Sequence, residues 1–291
     1  MIIVLLSILA VPLSLKRLID QSKKGPEDRL PGFDMSGENE HRVILESSAG
    51  YGIEVDENIP DEADTIIIAI HGFCSSKASR AITLLERVET GKGNGLVKFD
   101  WPAHGRSRAK DADFTIENCL SDLSMVVDHI KRQYPTASLI AFATSFGGYI
   151  AMLYKAAHPE AFDWTILRSP ALRFGWILRD KILEDEDLSR QLEETGSFET
   201  GFDRKIRISR ELIDEADRYR IEDIYEDREK WDPIDVTIIH GDADELVPYE
   251  DSVEFAEKHG IELYTVEGAD HRYTGEGLLE EAVAFAVSVI D

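Results

Sequence analysis

The chain has 291 residues, of which 43% are hydrophobic and 31% charged, so it is too apolar for a disordered protein and long enough for one large domain. Its 57 Asp and Glu outnumber 32 Lys and Arg, and the resulting charge of −25 repels phosphate backbones, which excludes nucleic acid as an expected partner. The two cysteines, Cys74 and Cys119, lack zinc-site spacing, so we predict neither a disulfide framework nor a bound metal. A reducing cytoplasm is the expected location.

Residues 1–40 combine an apolar segment with a polar linker. The apolar part resembles the core of a signal peptide but lacks a positive leader and a small-residue cleavage site. At ~1.5 Å per residue it is too short for a hydrocarbon layer of ~30 Å, and Pro12 interrupts it. We expect this segment to form a packed or mobile N-terminal helix. Peripheral membrane contact or export through this segment stays open, as does a homodimer.

From residue 41 onward, short apolar runs alternate with amphipathic segments. Continuous aliphatic runs of this kind suit parallel strands that are covered on both faces. The segment that starts at Thr115 has apolar residues at helical spacing, and Thr115 fits its N-cap. The strand-like runs are RVILES (42–47), YGIEVDE (51–57), TIIIAI (65–70), GLVKFD (95–100), SLIAFAT (138–144), DWTILRS (163–169), DVTIIHG (235–241) and IELYTVE (261–267).

The predicted fold class is therefore α/β, with a mostly parallel, doubly wound sheet. We divide the chain into the N-terminal segment 1–40, a core at 41–170 and 232–291, and an inserted cap at 171–231. In such sheets ligands bind beyond the carboxyl ends of the strands. The residues that directly follow each apolar run are therefore the candidates for chemistry.

The inserted cap is densely charged and too long for a simple connection. Residues 196–209 predict a β-hairpin with Thr200 and Gly201 at the turn. A helix from about Ser209 to Tyr219 is expected to follow it.

The segment LIAFATSFGGYIAMLY (139–154) places Ser145 between an apolar strand and a helix-like stretch. A nucleophile at a sharp strand-to-helix turn needs small residues two positions to either side, which is the logic of Gly-x-Ser-x-Gly. Here those positions are Ala143 and Gly147. The alternative is that Ser145 merely caps the helix.

Three further strand ends strengthen the case for a catalytic serine. His71-Gly72-Phe73 follows one strand, where a backbone N–H can face a developing oxyanion, and the amides of Phe73 and Phe146 would form that pair. Asp242 and Asp244 follow another strand, and either could orient an imidazole. His271 follows a third, where a general base could meet the serine.

The order Ser, Asp, His along the chain matches the α/β-hydrolase arrangement. From about residue 41 to its end the chain resembles an α/β-hydrolase family serine esterase. FDWPAHGRS (99–107) is similar to the family's Asp-x-x-Gly-x-Gly-x-Ser loop, with Ala103 in place of a glycine. HGDADELVP (240–248) matches His-Gly-x-x-Asp-x-x-Val-Pro, and this match selects Asp244 as the triad acid. Ala143 is a second departure from the usual glycines.

The resemblance implies acyl transfer to water with Ser145 as nucleophile, His271 as general base and Asp244 as the orienting acid, and no cofactor or metal. It gives the other histidines that precede glycine, at 71, 104 and 240, turn and packing roles.

The hairpin and helix of the inserted cap resemble the small lid of bacterial cinnamoyl and feruloyl esterases and their acylglycerol-hydrolase relatives. The expected partner is a small-molecule ester, with an aromatic acyl group or a monoacylglycerol as the leading classes. Phe174, Trp176 and Phe198 are candidate substrate contacts, or they only pack the cap on the body. Serine peptidase, thioesterase and acyltransferase activities remain alternatives. A non-catalytic binding protein with a hydrolase-like body is the alternative of another class.

Overall fold

The computed structural model describes residues 40–201, 205–227, 229–231 and 233–291. The predicted N-terminal apolar segment, up to residue 39, lies outside the described residues. Every strand-like run of the sequence contains a strand, with ends that shift by one or two residues. The strands are β1 Glu40–Glu46, β2 Gly52–Asn58, β3 Thr65–Ile70, β4 Gly95–Phe99, β5 Ser138–Thr144, β6 Trp164–Arg168, β7 Ser197–Thr200, β8 Ile206–Ser209, β9 Val236–Gly241 and β10 Glu262–Val266.

Helices connect most of these strands. They are α1 Arg80–Thr90, α2 Ile116–Gln133, α3 Phe146–Ala157, α4 Phe174–Trp176, α5 Glu186–Thr195, α6 Arg210–Arg218, α7 Ile221–Ile224, α8 Tyr249–His259 and α9 Leu278–Ile290. A π-helical turn, Ile177–Ile182, continues α4, and 3₁₀ turns occupy Asp111–Asp113 and Glu229–Trp231. In the described part of the chain, no helix combines the length and apolar character needed to cross a membrane.

Eight strands form one sheet in the order β1-β2-β4-β3-β5-β6-β9-β10. Strands β1, β2 and β4 pair in antiparallel fashion, and all further pairs are parallel. The parallel strands β3, β4, β5, β6, β9 and β10 therefore end at the same edge of the sheet. The predicted α/β class, with a mostly parallel sheet, is confirmed, and this sheet gathers the candidate residues at one rim.

Helices cover both faces of the sheet. One apolar cluster joins the inner face of α1 and α9 to Ile67, Phe142 and Ile166 of the sheet. A larger cluster on the opposite face includes α2, α3 and α8. The predicted cap at Thr115 is present, since its side chain accepts a hydrogen bond of 3.1 Å from the Asn118 amide. The alternation of side chains along the strands thus divides the core in two.

The segment between β6 and β9, residues 171–231, leaves the sheet and carries α4 to α7 and the β7–β8 hairpin. We call it the insertion. The hairpin is present, but Thr200, which we placed at the turn, still belongs to β7 and pairs with Ile206. The helix expected from Ser209 is also present, and the Ser209 hydroxyl accepts a hydrogen bond of 3.2 Å from the Leu212 amide. Apolar residues of the insertion join the larger core cluster, so it packs on the sheet body.

Candidate active site

Ser145 lies at the sharp turn between β5 and α3, with φ 52° and ψ −119°. Residues with a Cβ atom rarely adopt such backbone angles, and the strain costs about 1–3 kcal/mol. Two backbone hydrogen bonds hold the turn: the Ser145 amide donates to the Arg168 carbonyl at 3.0 Å, and the Ala171 amide donates to the Ser145 carbonyl at 3.1 Å. The Ser145 hydroxyl makes no capping bond to α3, so the simple N-cap interpretation is not what the structure shows.

Small residues surround this turn because the chain segments approach closely. A Cβ on Gly147 would lie 2.5 Å from the His71 carbonyl oxygen and 2.8 Å from that of Ile70. Ala143, two positions before the serine, is fully buried and its methyl group is accommodated. Glycine is thus required on the helix side of Ser145, whereas alanine suffices on the strand side.

The structure brings Ser145, His271 and Asp244 together from the ends of β5, β10 and β9. His271 Nε2 lies 3.1 Å from the Ser145 Oγ. His271 Nδ1 lies 2.7 Å from the Asp244 Oδ2. If Nδ1–H donates to the carboxylate, Nε2 is left to accept the proton of the serine hydroxyl.

Asp244 is buried and accepts four hydrogen bonds. Its Oδ1 accepts from the amides of Leu246 at 2.9 Å and Val247 at 2.8 Å, and its Oδ2 accepts from both His271 and His240. Burial alone raises the pKa of Asp244, but the hydrogen bonds from the two imidazoles outweigh it and hold the pKa well below its usual range. The carboxylate is therefore ionised at neutral pH.

Asp242, the other acidic candidate, has a different partner. Its Oδ1 accepts a hydrogen bond of 2.6 Å from the Gly268 amide at an exposed position. This contact ties the loop after β9 to the turn that follows β10. Asp244, and not Asp242, is thus the carboxylate that meets His271.

The loop after β3 is fixed against the serine. A Cβ on Gly72 would lie 3.0 Å from the Ser145 Cβ, so the loop backbone approaches the serine closely. His71 behind it is buried: its Nδ1 donates to the Gly72 carbonyl at 2.8 Å, and its Nε2 accepts from the Trp101 amide at 3.1 Å. Burial lowers the pKa of His71 to about 4, so this imidazole is neutral. It holds the loop in place by hydrogen bonds alone.

Phe73 and Phe146 both line the cavity that contains Ser145 and His271. Among the described residues, neither of their backbone amides donates to a protein acceptor. The oxyanion role expected for these two amides stays a prediction, and the structure leaves both N–H groups free of other acceptors in the described chain.

The FDWPAHGRS loop packs behind this region and is organised by Asp100. Its carboxylate accepts from the amides of Lys77 and Arg106, each at 2.8 Å. A side chain at Gly105 would overlap Asp100, which explains the glycine there. Ala103, which stands where the related motif has glycine, adopts a left-handed φ of 61°. The alanine therefore keeps the conformation that glycine would favour.

The cavity has a volume of about 790 Å³, and the three predicted substrate contacts differ in whether they line it. Phe174 lines it, and its ring lies 4.8 Å from that of Phe146 between centroids. Trp176 is not among the lining residues and is 42% exposed. Phe198 is not among them either, and it is fully buried in the larger core cluster.

Two residues near the site went unrecognised in the sequence. His240, to which we gave a packing role, donates from Nε2 to Asp244 and contacts the Ser252 hydroxyl through Nδ1 at 2.7 Å. Arg168, the last residue of β6, lines the cavity and donates to the His271 carbonyl at 3.3 Å. Arg168 could have been recognised as a candidate site residue because it is a charged residue at the end of an apolar strand. Among the described residues, no set of three or more His, Cys, Asp and Glu side chains is arranged to hold a metal ion.

Comparisons with known proteins agree with this fold. Residues 61–189 match the Hydrolase_4 family, described as serine aminopeptidase, S33. The structure of Est1E from Butyrivibrio proteoclasticus with bound ferulic acid superposes with a TM-score of 0.70 at 26% identity, over 85% of this chain and 99% of that one. Mouse alpha/beta hydrolase domain-containing protein 10 matches with a TM-score of 0.67 at 19% identity, over 86% and 98% of the two chains.

A lidless protein shares the same fold. XC6422 from Xanthomonas campestris, described as an a/b serine hydrolase without lid, matches with a TM-score of 0.57 at 18% identity, over 89% of this chain and 97% of that one. Sheet order and these likenesses together show that the chain has the α/β-hydrolase fold. It is a carboxylic ester hydrolase of the serine-esterase type, and the resemblance to bacterial cinnamoyl and feruloyl esterases is confirmed.

Proposed function

We propose that the protein hydrolyses carboxylic esters through an acyl-enzyme on Ser145. The observation that carries this proposal is the continuous contact from the Ser145 hydroxyl through His271 to Asp244, at 3.1 Å and 2.7 Å. His271 takes the hydroxyl proton as Ser145 Oγ attacks the ester carbonyl, and the Asp244 carboxylate stabilises the imidazolium. The imidazolium then protonates the leaving alcohol. Water then attacks the acyl-enzyme carbonyl in the same way, with His271 as the base, and the acid is released.

The amides of Phe73 and Phe146 would receive the negative charge that develops on the carbonyl oxygen. One donor of this kind contributes about 3 kcal/mol to transition-state stabilisation. Both amides belong to residues that line the cavity, and their freedom from other acceptors in the described chain supports the assignment. The fixed His71 loop keeps the first of them in position.

We assign residues 171–231 the role of a cap over the serine, and the apolar side of the cavity the role of an acyl pocket. The insertion contributes Phe174, Ile177 and Ile182 to the cavity lining, next to Phe73 and Phe146. Aromatic and aliphatic walls of this kind suit an aromatic acyl group or the chain of an acylglycerol. The ferulic acid bound to Est1E supports the aromatic class.

Aminopeptidase activity, the function in the description of the matching family, is the second candidate. An aminopeptidase must hold the substrate's α-ammonium group, for which a carboxylate is the natural partner. Among the described residues, the Asp, Glu, Lys and Arg side chains that line the cavity are all arginines, and its other titratable groups are His271 and Cys74. Ester hydrolysis is therefore favoured over removal of an N-terminal amino acid.

A fluorophosphonate probe and a chromogenic short-chain ester test the proposal. The wild-type protein and Ser75→Ala, which changes another serine of the same cavity lining, should be labelled and active. Ser145→Ala should lose labelling and lower the rate by about 10⁶-fold, on the scale found for nucleophiles of triads. Labelling or near-normal turnover in Ser145→Ala would remove this serine from the mechanism. A wild-type protein that is neither labelled nor active would indicate a binding protein. Product analysis with added glycerol distinguishes hydrolysis from acyl transfer.

A further inference from the structure

The charges around the cavity are opposite in sign to the charge of the whole chain. Acidic residues outnumber basic ones by 57 to 32 in the sequence. Yet in the part of the chain that the structure describes, the Asp, Glu, Lys and Arg side chains that line the cavity are three arginines, Arg80, Arg168 and Arg272. A cleft of one charge sign concentrates ligands of the opposite sign. Building on the proposed function, we infer that the substrate is an anionic ester, with an apolar group on one side of the scissile carbonyl and a carboxylate or phosphate on the other.

Arg168 is the central residue of this inference. Its guanidinium lies 4.7 Å from the centroid of the Tyr273 ring, and one amino group donates to the His271 carbonyl at 3.3 Å. Its Nε–H is buried without a hydrogen-bond partner. Among the described residues, no carboxylate forms an ion pair with Arg168. Arg168 lines the same cavity as Ser145, and a planar cation held in this position is suited to a ligand oxyanion.

The first turn of α1 adds a second set of donors to the same cavity. Ser79, Arg80 and Ala81 line it at the N-terminus of this helix of 11 residues. The Ser79 Oγ is buried without a partner and makes no capping bond, and the first turn contains no acidic residue. The positive end of the helix dipole and its free amides also favour an anion. Arg80 is largely exposed, and its nearest carboxylate, on Glu280, is 3.9 Å away.

The two ends of the cavity differ because they lie on opposite faces of the sheet. Arg168 pairs with Thr144 in the parallel ladder, and they lie two positions after Ile166 and Phe142, which face α1 and α9, so by strand alternation they share that face. Phe146 and Phe174 belong to the cluster on the other face. Ser145 lies between these faces at the end of β5. An ester bound with its carbonyl at Ser145 would extend its apolar part toward Phe174 and its anionic part toward Arg168.

Matched pairs of esters test the inference. The first pair joins a cinnamoyl group to glycolate or to neutral glycolamide, and the second replaces the glycolate by 2-hydroxyethyl phosphate or its dimethyl ester. A third pair places the charge in the acyl part, as the phenylpropyl ester of succinate or of succinamate. The measured quantity is the ratio of kcat/KM for the anionic ester over its neutral partner. We expect the wild-type ratio to exceed 10 in at least one pair and to fall as salt is added.

Variants of the arginines show whether the cavity causes this preference. Arg168→Gln should lower the ratio at least tenfold, Arg168→Lys less, and Arg80→Gln about threefold. Arg190→Gln, in an exposed arginine of α5 that pairs with Asp187, should leave the ratio as in the wild type. A wild-type preference for the neutral ester in all three pairs, or an unchanged ratio in both Arg168→Gln and Arg80→Gln, would overturn the inference. Either result can occur in a protein that hydrolyses esters through Ser145, so it is distinguishable from failure of the proposed function.

Discussion

His240 donates a hydrogen bond of 3.0 Å from Nε2 to the Asp244 carboxylate. The same oxygen of Asp244 also accepts the bond from His271, so the orienting acid lies between two imidazoles. The Ser252 hydroxyl, 2.7 Å from the His240 Nδ1, fixes the ring from its other side. His240 is therefore a positioning residue for the carboxylate rather than a packing residue alone.

His240→Phe should lower kcat because Asp244 loses one of its four hydrogen bonds and is held less firmly. A hydrogen bond to a charged group contributes about 1.5–3 kcal/mol, which corresponds to a decrease of about 10-fold to 100-fold. KM should change little, since the ring does not line the cavity. The control is Ser252→Ala, which keeps the imidazole and should lower kcat less than fivefold. A variant that changes KM alone would contradict this role.

Asp244→Asn and Asp242→Asn form a matched pair that tests the choice of acid. An amide at position 244 has one acceptor oxygen, so it cannot serve both the imidazoles and the amides of Leu246 and Val247. With its NH₂ group toward His271 it favours the wrong tautomer of that imidazole, which costs about 10⁴-fold in kcat. At position 242 the amide oxygen can still accept the bond from Gly268, so we expect near-normal rates. Steady-state kinetics on one chromogenic ester checks both. Equal losses in the two variants would count against the assignment.

Gly147→Ala should destabilise the protein by about 1–3 kcal/mol, as expected for overpacking, because the added methyl group would meet the His71 carbonyl oxygen at 2.5 Å. The same displacement moves the loop that contains Phe73, so activity should fall more than stability explains. Ala143→Gly restores the glycine of the related motif and should keep activity within a few-fold. Urea unfolding and ester kinetics on both variants measure the two effects. Unimpaired stability and activity in Gly147→Ala would show that the contact is not required.

Phe174→Leu should lower kcat/KM for an aromatic acyl ester by about 10-fold relative to an acetyl ester, since contacts in an apolar pocket contribute about 1–3 kcal/mol. Trp176→Leu is the control, because this side chain is 42% exposed and does not line the cavity. A panel of esters with one leaving group and varied acyl parts gives the ratio. Equal effects of the two variants would remove Phe174 from the acyl pocket.

The buried carboxyl of Asp122, which lies outside the active site, should make the stability of the protein depend on pH. Burial raises its pKa from 3.8 to about 6, despite hydrogen bonds from Tyr51 and Ser47. The folded protein therefore binds this proton more tightly than the unfolded chain does, and the group's contribution falls as the pH rises from about 4 to about 6. At ~1.4 kcal/mol per pH unit the loss is at most about 3 kcal/mol.

Asp122→Asn should remove this dependence, so the variant gains stability relative to the wild type between pH 4 and pH 7. Urea unfolding at four pH values in this range measures the difference. Asp128→Asn, at an exposed position of the same helix, is the control and should show a nearly constant offset. The same constant offset in Asp122→Asn would contradict the prediction.

The sequence by itself determined the local structure and the strand-end candidates. Hydrophobic periodicity depends on burial, and burial imposes the same pattern wherever a strand or helix lies, so β3, β5 and α2 were predicted nearly to the residue. The turn at Ser145 was also visible, because its small neighbours are a local steric requirement.

Only the tertiary structure decided which side chains meet. The sequence left Phe174, Trp176 and Phe198 equivalent, and packing of the insertion put Phe174 alone in the cavity lining. The contact of His271 with Asp244 and the position of Arg168 beside Tyr273 depend on the order of strands in the sheet. That order is set by long-range packing among segments far apart in sequence, and no local pattern records it.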